Sequence, residues 1–444
     1  MSITLPRPCA DALHRLNDAG YEAYVVGGCV RDALLGKQPL DWDICTSARP
    51  DEMLSVFKGE KIIPTGIQHG TLTVLMKGMP LEITTYRIDG DYADHRRPEN
   101  VAYTRDLAED LARRDFTVNA MAWHPGEGLI DLYGGQADLE QRIMRAVGDP
   151  LLRFEEDGLR LMRLVRFATV LVFDYDPATA AAAKASAHLL KHISKERIQV
   201  ELNKMLLAPF VGKGLFDLRE FGLLSEVVPL LCPSVDFDQQ TNRHFLDVYE
   251  HTALATGLVE ADLILRLTMF LHDIGKPFTW QEGADGEDAF PAHETIGAQL
   301  ADRMLRRLKY DNATRREVVR LVAHHNDLLL PDRKLLRRRL SELGADTLKR
   351  LIAVKVADIN AHNIYNERAE VSLLFAEMEA IVDDILAAGE PYRICDLALD
   401  GRDLLALGYR GRAIGDTLAA LLDLVVADPA ENTRENLLTV LNSI

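Results

Sequence analysis

The chain has 444 residues, of which 48% are hydrophobic and 27% charged, a composition typical of a globular protein of several domains. Five scattered cysteines without a CxxC pair exclude a disulfide scaffold and a cysteine zinc site, and they predict a cytoplasmic location. No secretory signal pattern opens the chain, and no apolar run reaches the ~18 residues of a membrane span. The net charge of −17 disfavours general nucleic-acid binding, but a dense basic run between Arg303 and Arg339 leaves a local RNA surface open.

The first chemical motif is YVVGGCVRDALLG, at residues 24–36. We expect a buried strand over Tyr24–Val26, then Gly27 and Gly28, and then a helix that carries Arg31 and Asp32. Two glycines permit a close backbone approach to a phosphate, and the N-terminus of a helix offers free N–H groups there. A pair of glycines alone more often marks only a turn.

Two carboxylates follow in PLDWDI, separated by one tryptophan. In a strand, Asp41 and Asp43 would share one face while Leu40, Trp42 and Ile44 pack inward. Adjacent like charges repel unless a cation neutralises them, and hard oxygen ligands suit Mg²⁺. A solvated face of an edge strand is the alternative. In PLEITTYR, the same alternation predicts that Glu82 also points away from the core. On that face of the sheet, three carboxylates could hold two Mg²⁺ ions.

Further motifs continue in a fixed order along residues 21–205: HGTLTV, LARRDFTVNAMAW, RAVGDP and RFEEDGLRLMRLVRFA. Together with GGCVRDALLG and LDWDI they resemble the class II tRNA nucleotidyltransferases, the family of CCA-adding enzymes and bacterial poly(A) polymerases. The resemblance implies an α+β fold: a polymerase-β-like head with a small mixed sheet, followed by an all-α neck, an HD-type body and a tail. The corresponding boundaries are residues 1–148, 149–215, 216–388 and 389–444.

The resemblance also implies roles for individual residues. Asp41 and Asp43 would be the metal-binding catalytic carboxylates, and Glu82, found from the strand alternation, is the third catalytic candidate. The residues expected around the nucleotide are Gly27, Gly28, Arg31 and Asp32 at the triphosphate, Arg113 and Arg114 at phosphates, Asp115 at the ribose hydroxyl, and Asn119.

Selection of the base is assigned to Asp157 and Arg160 of EEDGLR, which a continuous helix would bring to one side. An ionised aspartate only accepts hydrogen bonds and arginine only donates them, which matches the Watson–Crick edges of cytosine and adenine. Uracil and guanine would leave buried polar groups unpaired at about 1–3 kcal/mol each. The alternative for any such spacing is an intrahelical ion pair. Arg163 is a further candidate for triphosphate or base contact.

A histidine-rich block spans about residues 245–365 and includes FLHDIGKP, LVAHHN and VADINAHN. It resembles the HD phosphohydrolase superfamily, in some members associated with phosphatase or 2′,3′-cyclic phosphodiesterase activity. The four-ligand core that this resemblance implies is His251, His272, Asp273 and Asp358, with His293 and His325 for a second metal. The metal could be Mn²⁺, Ni²⁺, Mg²⁺ or another, and retention of the domain as a scaffold is the alternative.

The tail segment LDGRDLLALGYRGRAIGDTLAALL resembles an element near the C-terminus of many CCA-adding enzymes that serves the tRNA elbow. There, Gly411 and Gly415 would allow a tight turn, while Arg410 and Arg412 could contact RNA phosphates. A polar segment, RIDGDYADHRRPENVAYTRDLAEDLARRD, resembles the flexible loop of members that add all three nucleotides.

The sequence therefore predicts addition of CCA to tRNA from CTP and ATP with two Mg²⁺ ions. A poly(A) polymerase, or an enzyme restricted to CC or A, is the first alternative. The second is an HD metal phosphohydrolase whose head only binds RNA, and the third is a noncatalytic RNA-binding scaffold.

Overall fold

The computed structural model of the protein describes residues 3–89, 101–238, 246–283, 288–362 and 368–443. The chain forms two compact units, Met1–Pro229 and Leu230–Ile444. Within the described ranges, no helix has the length and apolarity needed to cross a membrane. The predicted α+β class is confirmed, because a mixed sheet lies in the first unit and helices make up most of the remainder.

Strands and short helices alternate in the N-terminal part of the first unit, and helices follow. The elements are α1 (Arg7–Asp18), β1 (Ala23–Val26), α2 (Gly28–Leu34), β2 (Asp43–Thr46), α3 (Pro50–Val56), β3 (Lys61–Gly66), β4 (Thr71–Met76), β5 (Met79–Thr85), β6 (Arg87–Asp89), β7 (Val101–Tyr103), α4 (Leu107–Ala112), β8 (Met121–His124), β9 (Gly128–Asp131), α5 (Gly135–Gln141), β10 (Ile143–Met144), α6 (Pro150–Glu156), α7 (Leu159–Leu171), β11 (Asp174–Tyr175), α8 (Pro177–Ser186), α9 (Lys195–Leu206), α10 (Val211–Glu220) and α11 (Leu224–Val227).

A seven-stranded sheet organises the head, in the order β3-β4-β5-β2-β1-β8-β9. β2 and β5 run parallel, and the other neighbours are antiparallel. Strand β1 is buried along its whole length, as its run of apolar residues predicts. The sheet thus sets β2, which carries Asp43, between two strands that support it on either side.

The neck is helical except for the two-residue strand β11, which pairs parallel with β10 of the head. Helix α7 is buried over nearly all its residues and packs against α9. A helix buried on most of its faces needs paired polar groups, and Arg166 of α7 meets Glu201 of α9 at 2.6 Å. This buried ion pair fixes the two helices relative to each other.

Over its described residues, the second unit is helical apart from one pair of two-residue strands. Its elements are α12 (Val248–Leu258), α13 (Leu263–Leu271), α14 (Lys276–Thr279), β12 (Gln281–Glu282), β13 (Asp288–Ala289), α15 (His293–Arg307), α16 (Asn312–His324), α17 (Arg333–Leu343), α18 (Ala345–His362), α19 (Arg368–Ala387), α20 (Gly401–Ala406), α21 (Arg412–Ala427) and α22 (Arg434–Ser443).

Separate apolar clusters hold these helices. One joins α12, α13 and α18, a second joins α16 to α19, and a third joins α20, α21 and α22. Some arginines of the basic run between Arg303 and Arg339 form ion pairs within the second unit. Arg315 contacts Asp302 at 2.8 Å, and the buried Arg337 pairs with Glu390 at 2.6 Å and donates to the carbonyl of Val426. These contacts favour a structural explanation for much of the run.

Candidate active site and metal centre

A cavity of about 620 Å³ in the first unit collects nearly all the residues predicted to handle a nucleotide. Of the predicted head and neck residues, only Glu82 does not line it. The additional lining residues, which the sequence reasoning missed, are Cys29, Leu40, Arg166, Phe167 and Lys204. Arginine and lysine outnumber carboxylates in the lining, so this part of an acidic protein suits a polyanion.

The acidic side of the cavity is formed by β2 and the residues just before it. Parallel pairing puts Asp43 directly opposite Glu82 of β5. Burial, then Glu82 and Asp41, raise the pKa of Asp43 to about 6, although Arg114 opposes the rise. An aspartate whose ionisation is opposed by two neighbouring carboxylates belongs to a donor set that fits a hard divalent cation.

The predicted inward packing is wrong at Leu40. Trp42 and Ile44 are buried, but Leu40 is 94% exposed. The strand begins only at Asp43, where pairing with β1 and β5 satisfies its backbone, so the period-two alternation does not extend back to residue 40. Asp41 therefore precedes the strand while still lining the cavity with Asp43.

The glycine turn brings backbone close to the basic side. Gly27 has φ of 80°, which L side chains rarely adopt, and a Cβ there would lie 3.1 Å from Nη1 of Arg114. Asp110, fully buried in α4, accepts hydrogen bonds from Arg113 at 2.5 Å and from Arg114 at 3.1 Å. Burial raises the pKa of Asp110, but the two arginines outweigh burial, and the pKa is lowered overall. Asp110, which the sequence reasoning missed, orients both arginines towards the cavity wall.

A buried polar network connects the head to α7. Asp115 accepts hydrogen bonds from Arg163 at 2.5 Å and from Asn119 at 3.1 Å, and Asn119 accepts one from Arg31 at 2.6 Å. Burial opposes ionisation of Asp115, but Arg163 and Asn119 outweigh it and lower its pKa to about 2. The guanidinium of Arg166 stacks 3.5 Å from the centroid of Phe167. Residues widely separated in sequence are thereby fixed on one wall.

Asp157 and Arg160 both line the cavity, but the predicted continuous helix between them is wrong. Asp157 has extended backbone angles, φ −143° and ψ 102°, and ends α6. A Cβ at Gly158 would lie 3.1 Å from the carbonyl oxygen of Leu189, so this close approach favours glycine at the break. Arg160 does not pair with Asp157: it donates to Glu156 at 2.5 Å and to the backbone oxygens of Arg153 and Arg113.

The second unit gathers all six predicted HD residues in one cluster, in which Asp358 is half-buried and the other five are buried. Nε2 of His251 lies 3.0 Å from Asp358 and 3.3 Å from Nε2 of His272. Asp273 is shared: Oδ2 lies 3.2 Å from His272, and Oδ1 lies 3.7 Å from His325 and 3.8 Å from His293. These groups form the triads His251–His272–Asp273 and Asp273–His293–His325, each with ligand atoms within 4.8 Å of one another.

The chemistry of this cluster fits a divalent metal. Nδ1 of His272, His293 and His325 each contacts a backbone carbonyl, at 2.7, 2.9 and 2.7 Å, which leaves Nε2 for a metal. Burial lowers the pKa of His272, but Asp273 and Asp358 outweigh the effect of burial and raise this pKa to about 10. A site that stabilises positive charge on a buried imidazole also suits a cation.

Three further residues belong to the surroundings of the cluster. His362, missed by the sequence reasoning, forms a third triad with His251 and Asp358. Lys276 of the HDIGKP motif pairs with Asp273 at 2.8 Å. As expected from the motif, His325 and not His324 enters the cluster, since His324 pairs with Asp327 at 2.9 Å.

In the tail, Gly411 has φ of 55° and precedes α21, as a tight turn requires. The prediction for Gly415 is wrong, because it lies inside α21; the second glycine with a positive φ near this turn is Gly408, at φ of 100°. Arg410 donates to the carbonyls of Leu405 and Tyr409, and the side chain of Arg412 is 93% exposed. The DHRRP part of the predicted flexible loop, residues 94–98, lies outside the described residues.

Three family models match the chain: the poly A polymerase head domain at residues 23–145, a probable RNA and SrmB-binding site of polymerase A at 172–234, and the HD domain at 241–361. A CCA-adding enzyme of Lactobacillus helveticus is 36% identical over 95% of this chain and 93% of its own length. The match to a CCA-adding enzyme of Levilactobacillus brevis, 49% identical, covers 57% of this chain and 62% of that relative.

A solved CCA-adding enzyme of Bacillus stearothermophilus, in complex with CTP, superposes with a TM-score of 0.77 at 28% identity, covering 99% of both chains. The sheet, the cavity and the head match define a nucleotidyltransferase with a polymerase-β-like head. With the near full-length relative, they show that the chain belongs to the CCA-adding enzyme family. A dependence on divalent metal follows from that membership.

Proposed function

We propose that this chain adds C, C and A to the 3′ end of tRNA from CTP and ATP. The observation that supports the proposal is a cavity lined by carboxylates, by arginines and a lysine, and by Asp157 and Arg160. Relatives support these substrates: one solved CCA-adding enzyme is in complex with CTP, and another, from Thermotoga maritima, is complexed with tRNA. A tRNA substrate agrees with the cytoplasmic location predicted from the cysteines.

In the proposed reaction, the 3′ hydroxyl of tRNA attacks the α-phosphate of the bound nucleotide, a new phosphodiester bond forms, and pyrophosphate leaves. Asp41 and Asp43, supported by Glu82, would hold two Mg²⁺ ions. Such ions, when bound, lower the pKa of the attacking hydroxyl and neutralise the leaving pyrophosphate. Glu82 acts on Asp43 across the strand pair and outside the cavity lining.

The remaining cavity residues would orient the nucleotide. Gly27 and Gly28 allow the triphosphate to approach the backbone. Arg31 and Asp32 flank it, and Arg113 and Arg114 contact its phosphates. Asp115 would meet the ribose hydroxyl, with Asn119 and Arg163 holding it and contacting the nucleotide.

Base selection would rest on Asp157 as acceptor and Arg160 as donor. Arg160 has three N–H groups engaged by protein and retains others for the acceptor of the base. Because the donor and acceptor order matches cytosine and adenine, uracil and guanine are rejected. The exposed Arg412, and Arg410 beside it, would contact tRNA phosphates.

The test uses tRNA transcripts that lack CCA, CA or the final A, supplied with labelled CTP or ATP and Mg²⁺. The proposal expects addition of the missing nucleotides followed by arrest. Asp41→Ala should abolish incorporation, whereas Asp18→Asn, on the surface of α1, should retain it. Long A tails would make the chain a poly(A) polymerase, and addition of only CC or only A would make it a restricted member.

A second activity, metal-dependent phosphohydrolysis in the second unit, is favoured by the convergence of His251, His272, Asp273 and Asp358, of which the first three are buried. His293 and His325 would complete a second metal position around Asp273. The test is hydrolysis of a 2′,3′-cyclic nucleotide by the metal-free chain reloaded with Mn²⁺, Ni²⁺ or Mg²⁺. Asp273→Asn should abolish it and leave CTP incorporation intact, whereas Asp41→Ala should do the reverse. If none of the three ions supports hydrolysis, the histidine-rich block acts only as a scaffold.

A further inference from the structure

Arg197 lies 40 residues beyond Asp157 of EEDGLR, the segment proposed to select the base, and contacts the Asp157 carboxylate directly. Nη2 of Arg197 donates to Oδ2 of Asp157 at 2.7 Å, and Nη1 donates to Oδ1 at 3.3 Å. We propose that Arg197 is a positioning residue for base selection, which holds the Asp157 carboxylate where it can accept from the amino group of cytosine or adenine. The inference rests on the proposed function, which it deepens.

Asp157 needs such a partner because its backbone is outside any helix. Its extended conformation comes between the end of α6 and the start of α7. The carboxylate accepts one backbone hydrogen bond, from the N–H of Leu159 to Oδ1 at 3.1 Å. A two-point contact with a planar guanidinium fixes the plane of a carboxylate, which a single hydrogen bond cannot do. Arg197 therefore sets the direction in which the remaining lone pairs point.

Arg197 is itself held in place by the packing of α9. One turn further along the same face, the buried Glu201 pairs with Arg166 of α7 at 2.6 Å. The guanidinium of Arg197 thus belongs to α9, which is anchored by this ion pair to α7, the helix that begins after Asp157. The side chains of Arg197 and Asp157 are 32% and 18% exposed, so the pair lies where a nucleotide base can reach the aspartate.

The two halves of the base-reading pair are therefore fixed separately. Arg160 is held by Glu156 and by two backbone carbonyls, and Asp157 is held by Arg197. A fixed acceptor attracts the amino group of cytosine and repels the carbonyl oxygen that uracil has at the same position. If the carboxylate can swing away, both effects weaken, so the loss falls on discrimination between the two bases.

The experiment measures kcat/KM for CTP and for UTP on a tRNA transcript that lacks CCA. The variants are Arg197→Met, which keeps the aliphatic stem, and Arg197→Lys, which keeps the charge without the fork. Both are also made in the Asp157→Ala background. Lys184→Met, which removes the half-exposed pair with Glu220 on α8 and α10, is the matched control. Thermal unfolding establishes that each variant is folded.

We expect Arg197→Met to lower the CTP-to-UTP ratio at least about tenfold, or ~1.4 kcal/mol. Arg197→Lys should lower it less. In the Asp157→Ala background, Arg197→Met should change the ratio less than about twofold, because it acts through that carboxylate. Lys184→Met should behave as wild type.

An unchanged ratio in folded Arg197→Met or Arg197→Lys would overturn the inference. So would an equal effect with and without Asp157, which would indicate a general structural role. If the wild-type chain incorporates neither C nor A, the proposed function fails first and the inference falls with it.

Discussion

Replacement of Asp43 by asparagine should stabilise the folded protein while it abolishes nucleotidyl transfer. The raised pKa of Asp43 means that the fold works against its ionisation. The rise from 3.8 to about 6 corresponds to ~3 kcal/mol as an upper value. Because the side chain is partly exposed and solvent screens part of the repulsion, we expect about 1–3 kcal/mol of added stability at pH 8.

The sign of the pH dependence follows from the same shift. Between the unfolded value of 3.8 and the folded value of about 6, the native state binds more protons than the unfolded state. The contribution of Asp43 to the free energy of unfolding therefore falls as pH rises through this window, and the full penalty applies above it. Asp43→Asn removes that penalty, so its stabilisation should be large at pH 8 and vanish near pH 4.

The assay is thermal unfolding in EDTA across this pH range, repeated at pH 8 with added Mg²⁺. Added Mg²⁺ should raise the melting temperature of the wild type more than that of Asp43→Asn, since a ligand stabilises the state that binds it. Asp18→Asn, an exposed change, should stay within about 0.5 kcal/mol of wild type. If Asp43→Asn melts at the wild-type temperature at pH 8 in EDTA, the reasoning about the carboxylate cluster is refuted.

Three further changes test other parts of the structure. Asp110→Ala should cost about 3 kcal/mol in urea unfolding and raise KM for CTP, because it leaves Arg113 and Arg114 without their buried partner; an unchanged KM would contradict that role. Gly275→Ala would put a Cβ 2.1 Å from the carbonyl oxygen of His293. It should lower the metal content, read by elemental analysis, without changing CTP incorporation. Gly415→Ala should stabilise the tail by ~1 kcal/mol, since Gly415 lies inside α21 with open space at its Cβ; a lower melting temperature would argue against this placement.

Local patterns in the sequence were sufficient where one strand or one helix decides the outcome. The apolar run Tyr24–Val26 predicts a buried strand, and alternation predicts that Glu82 points away from the core; both are confirmed. The family resemblance carried by the ordered motifs likewise predicted most of the residues that line the cavity.

Other features depend on tertiary contacts that periodicity does not contain. The helical pattern through EEDGLR hides a break at Asp157, which follows from the close approach of Gly158 to Leu189. Leu40 fits the strand pattern, but the hydrogen-bonded partners of β2 begin only at Asp43.

Partners distant in sequence were also missed. Arg197 meets Asp157 across 40 residues, and no spacing rule indicates that contact. His362 was overlooked although it is one helical turn beyond Asp358 and on the same face, where the i, i+4 relation was available as a signal.

The most direct test of the central claim is to sequence the 3′ ends of tRNA transcripts lacking CCA after incubation with the protein, Mg²⁺ and all four nucleoside triphosphates. A CCA-adding enzyme should give products that end in CCA and grow no further. Products with tracts of A, with mixed bases, or with no added nucleotide would contradict it.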